Sequence, residues 1–138
     1  MATRTIYLAT FRQSSKQRAH FSIFVPSPEQ SDIGTIIHVV GAPMAGYSLE
    51  FKRNYSLSTG DQPLDQCVPI GEVSVENIVD WPPGEERKET TSKGNLEVAA
   101  TKVASPRISQ NFLAPVNDVG AAFSCLRFCW LTWYGKDY

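Results

Sequence analysis

His20 and His38 are the only histidines in this chain of 138 residues, and each stands inside a short apolar run. A neutral imidazole is the side chain best suited to moving a proton near neutral pH, and it also ligates metals. A base of this kind needs something to activate, and the three thiols Cys67, Cys125 and Cys129 are the natural candidates. Cys125 suits the role best. It follows the predicted first turn of a last helix, where backbone N–H groups and the helix dipole lower a thiol's pKa. Its competing role is packing, because Cys125 and Cys129 lie four apart on that helix and cysteine is a common core residue. Cys67 sits beside Pro69 on a predicted edge strand and is the weaker candidate. A metal site on His20, His38 and Cys125 lacks a carboxylate or second cysteine at ligand spacing from either histidine. No cofactor or metal is expected.

The elements that must position these groups are strands first and helices afterwards. A short β-like run spans Thr3 to Phe11 and gives way to the polar stretch Arg12 to Arg18. His20 to Val25 is the second strand, closed by Pro26-Ser27-Pro28, since proline cannot donate to a ladder. Gly34 opens the third, Thr35 to Val40. If these two strands pair as a hairpin, His20 and His38 approach each other across the sheet. From Tyr47 to Tyr55 apolar and polar residues alternate strictly, the pattern of a half-buried antiparallel strand. That alternation places Tyr47, Leu49, Phe51, Arg53 and Tyr55 on one face, with Tyr47, Phe51 and Tyr55 as candidate substrate-binding residues or as core. A fifth run, Cys67 to Val73, contains Pro69 and reads as an edge.

Ser74 is a candidate cap for a single helical turn, Val75 to Val79, that ends at Trp81-Pro82-Pro83-Gly84. Glu85 to Lys93 reads as a charged exposed loop. Leu96, Ala99, Ala100 and Val103 recur at helical spacing and predict an amphipathic helix. Val119 to Tyr134 is the most apolar stretch and predicts a final helix. The expected class is α+β. It comprises an antiparallel sheet of about five strands with helices from the C-terminal half packed on one face. One domain is expected over 1–138, with strands in 3–73, loops and short helices in 74–118 and the apolar helix in 119–138.

Composition removes several function classes. Hydrophobic residues make up 42% and charged residues 20%, which places the chain among globular proteins and away from disorder. Thirteen basic residues against fourteen acidic ones leave a net charge of −1, so no positive field draws it to nucleic acid. Arg4, Arg12, Lys16 and Arg18 gather near the start without interleaved aromatics. No run reaches the roughly 18 apolar residues of a membrane span. The first ten residues lack the features of a secretory signal, and the odd cysteine count suits free thiols, so a cytoplasmic address is expected. Gly41 to Gly46 carries no lysine and leads into a strand, unlike a phosphate-binding loop.

The phrases His20-Phe21-Ser22-Ile23-Phe24-Val25, Gly34-Thr35-Ile36-Ile37-His38-Val39-Val40-Gly41, Leu49 to Tyr55 and Asn111 to Asp118 resemble a family of small fungal proteins of uncharacterised function. The resemblance runs from about His20 to Asp118. In that family the Asn-Asp turn leads to a polar amphipathic helix with a cysteine near its start. Here Val119 to Trp130 is nearly all apolar, as a retained intron or an altered reading frame would produce, and such a product would be inactive.

More distantly, two strand histidines followed by a helix-borne cysteine are similar to circularly permuted NlpC/P60 and lecithin:retinol acyltransferase-like proteins, which are papain-like. That likeness implies His20 as general base, His38 as its orienting partner and Cys125 as nucleophile. The implied chemistry is hydrolysis or acyl transfer on an amide, ester or thioester of a small-molecule or peptide substrate. The competing class is a non-enzymatic module that binds a small molecule or a protein, with the apolar tail available for self-association.

Overall fold

The computed structural model describes residues 2–14, 16, 19–42 and 45–103. Six strands run in chain order: β1 Thr3–Phe11, β2 His20–Pro26, β3 Ile33–Ala42, β4 Gly46–Ser56, β5 Leu64–Ser74 and β6 Arg87–Glu89. They form one antiparallel sheet in the order β5-β1-β2-β3-β4-β6. The one α-helix among the described residues, α1, spans Gly94–Thr101, and a 3-10 turn occupies Val75–Asn77.

The expected α+β class, with several helices laid over a sheet of about five strands, is therefore overturned. So is the papain-like arrangement. Two local facts explain the difference. The charged stretch read as a loop contains β6, which pairs Phe51↔Glu89, Lys52↔Lys88 and Arg53↔Arg87. A three-residue strand joined through its backbone leaves no period-two signal in its side chains. The helical turn expected after Ser74 shrinks to three residues, with no side-chain cap from that serine. The predicted final helix, with Cys125, Cys129 and the apolar tail, lies outside the described residues.

Because side chains alternate along each strand, the sheet carries two apolar sets. One joins Ile6, Ile23, Val25, Ile37, Phe51 and Val73 to Leu96 and Ala100 of α1. These two residues are half of the helical stripe predicted from spacing. Arg53 fixes α1 further, donating from Nη1 to Glu97 Oε2 at 2.5 Å and from Nη2 to Glu97 Oε1 at 2.7 Å. The second set holds Ala9, Phe11, Phe24, Ile36 and Tyr55, with Phe11 and Tyr55 meeting edge to face at 5.9 Å.

β3 and β4 change register between Gly34 and Ile36, and Asn54 takes φ +54. An extra residue in one strand reverses the facing of everything beyond it. Phe51 and Arg53 accordingly point to the α1 side, while Tyr55 joins the opposite set. The single aromatic face expected for Tyr47, Phe51 and Tyr55 does not form.

Candidate functional site

The pairing Ile23↔Ile37 sets β2 against β3. Counting outward from it brings His38 level with Ser22, on the sheet face shared by His20. Antiparallel pairing then places Glu50 of β4 directly opposite His38. Three side chains from three adjacent strands meet as a result. His20 Nε2 lies 2.7 Å from His38 Nδ1, and His38 Nε2 lies 3.0 Å from Glu50 Oε1. The two rings meet edge to face, with centroids 5.0 Å apart and planes at 78°.

The carboxylate dictates the proton positions along this chain. An ionised Glu50 only accepts, so His38 donates from Nε2 and keeps a bare Nδ1. His20 then donates from Nε2 into that lone pair, and its own Nδ1 is left as an acceptor. Nδ1 of His20 has no hydrogen-bond partner among the described residues. His38 is buried, at 5% exposure, while His20 at the open end is half-buried. The arrangement is a base whose tautomer is set from behind by a second imidazole and a carboxylate.

Electrostatics keep both rings neutral. Burial is the largest influence on His38. With the Lys52 charge, and the repulsion that a protonated His20 would exert, it outweighs the hydrogen bond to Glu50 and pushes the ring down to about 4. Burial and then the nearby Lys52 lower His20, against a smaller opposing pull from Glu50. Both imidazoles are unprotonated at neutral pH, the state a general base needs.

His20 and His38 are thus brought together as the sequence predicted. Cys125 lies outside the described residues. Cys67 is exposed on β5, two strands from β2, and partial burial pushes its thiol up from the ordinary range. Phe51 is fully buried in the α1-side core, Tyr55 is buried in the opposite set, and Tyr47 is half-buried near the start of β4. Sequence reading missed Glu50 and its neighbour Lys52. The signal was present: Ser48, Glu50 and Lys52 are the polar half of the β4 alternation, on the face that His38 occupies. Among the described residues no group of three or more histidines, cysteines and acids is placed to hold a metal ion. None of their helices is long and apolar enough to cross a membrane.

A family model described as a family of unknown function (DUF6540) matches residues 6–131. The chain belongs to that family. The match takes in His20, His38 and Glu50, and it continues past Asp118 through the apolar stretch that holds Cys125. Neither a search of curated proteins nor a search of solved structures found a match for the DUF6540 chain. The expected likeness to NlpC/P60 and lecithin:retinol acyltransferase-like proteins has no support from these comparisons.

Proposed function

We propose that the His20–His38–Glu50 chain is the general-base half of a thiol-dependent hydrolase or acyltransferase, and that Cys125 is the nucleophile it serves. The supporting observation is the pair of contacts, 2.7 and 3.0 Å long, which with an ionised Glu50 leaves His20 Nδ1 as the acceptor end, without a partner among the described residues. In this mechanism His20 Nδ1 takes the thiol proton and the thiolate attacks the carbonyl carbon of an amide, ester or thioester. His38 Nδ1 accepts from the resulting imidazolium, and Glu50 holds His38 in the tautomer that allows it. The tetrahedral intermediate expels an amine, alcohol or thiol, which leaves with the proton from His20, and an acyl-thioester remains. Water or a second nucleophile then gives up a proton to His20 and attacks that thioester. The acyl group is released or transferred, and the proton returns to the cysteine.

Alkylation by iodoacetamide between pH 6 and 7 tests the assignment. Cys125 is expected to react ahead of Cys67 and Cys129, and His20→Ala to slow it by about 100-fold, the lower range for loss of a general base. Equal, slow reaction of all three thiols would remove the catalytic reading and favour a binding module.

A further inference from the structure

Lys52 has only 8% of its side chain exposed, yet among the described residues it is poorly paired. It lies two residues beyond Glu50 on β4 and opposite Ile36, on the face that carries His38. Its carboxylate contact is Asp61 Oδ1 at 3.5 Å, the outer limit of a hydrogen bond, and Asp61 is itself 56% exposed. The same Oδ1 also accepts from the Tyr55 hydroxyl at 3.4 Å. The Tyr55 ring, 5.1 Å from Nζ, adds a weak face contact. An ammonium has three donors, and a buried one is stable when they are satisfied by charge-matched partners. Here one long, shared hydrogen bond and a weak ring contact are all the described residues provide. Lys52 is also close enough to His20 and His38 for its charge to weaken proton binding on both.

We infer that Lys52 is the anion-receiving group of this site, holding a carboxylate or phosphate oxygen of the substrate on the sheet face that carries the His20–His38–Glu50 chain. The inference rests on the proposal that substrate meets the protein on that face. An anion there would supply the short, charge-assisted contacts that Asp61 does not.

The test is a titration of the full chain with sodium phosphate and, separately, sodium acetate, at pH 7 and fixed ionic strength. The readout is the ring nitrogen resonances of His20 and His38. A saturable shift with at least one anion is expected, kept in K52R and weakened at least tenfold in K52M. Saturation by phosphate alone assigns a phosphate-bearing substrate, and saturation by acetate alone assigns a carboxylate. D61N, an exposed change that removes the competing carboxylate, is expected to bind the same anion more tightly. Absence of a saturable shift, equal binding by wild type and K52M, or unchanged binding in D61N would each overturn the inference. The titration does not involve Cys125. A flat alkylation result would remove the thiol reading and leave the anion site standing, whereas a flat titration with fast Cys125 alkylation would do the reverse.

Discussion

At the scale of single residues, the direction of the hydrogen-bond chain decides what His20 can do, and Glu50 sets that direction. Glu50→Gln keeps an acceptor oxygen of similar shape but removes the charge that favours protonated imidazole. The expected result is a lower titration midpoint for both rings by NMR, and Cys125 alkylation slowed by about tenfold or more. Acid stability follows from the same rings. Both are held below the ordinary value of 6.5 in the folded protein, so the unfolded chain binds more protons as pH falls from about 6.5 to about 4. Their stabilising contribution is present above 6.5 and lost through that window. Urea midpoints measured at steps from pH 7 to pH 4 should fall. A His20→Gln/His38→Gln double variant should show a shallower decline.

At the scale of elements, β4 carries the most information and the least predictable feature. Its alternation announces the strand, and the facing of Leu49 and Phe51 follows it into the α1-side core. The register change near Asn54 then turns Tyr55 to the other side. Asparagine tolerates φ +54 because its short polar side chain adapts to the left-handed region, and here its Nδ2 also donates to the Pro82 carbonyl at 3.0 Å. Asn54→Val should cost about 1–2 kcal/mol in chemical denaturation, since a β-branched side chain is strained there. Asn54→Gly should retain most of the stability, losing mainly the Pro82 contact. Gly34 is constrained differently: a Cβ there would run into the Val25 carbonyl of β2 and lie 2.8 Å from Pro26 Cα.

At the scale of the whole molecule, one buried ion pair ties the sheet to its helix. Arg53 is fully buried, bonded through Nη1 and Nη2 to Glu97, through Nε to Glu89 and through Nη2 to the Thr91 carbonyl, and it lies over the Trp81 ring at 4.6 Å. Removing one partner strands a charge in the interior, so Glu97→Ala should cost about 3–5 kcal/mol. The double change Arg53→Met/Glu97→Leu should recover much of that loss, as equilibrium unfolding would show. The first four strand positions, the edge status of β5 and the apolar stripe on α1 were legible because each rests on local periodicity or on proline chemistry. The approach of His20 and His38 was legible because they flank one hairpin. Those features the sequence determined by itself. Glu50 as third member of the chain, Lys52 beside it, β6 and the facing of Tyr55 were decided by the tertiary structure. Each depends on which residues stand opposite one another, and strand register is set jointly by two segments and any bulge between them.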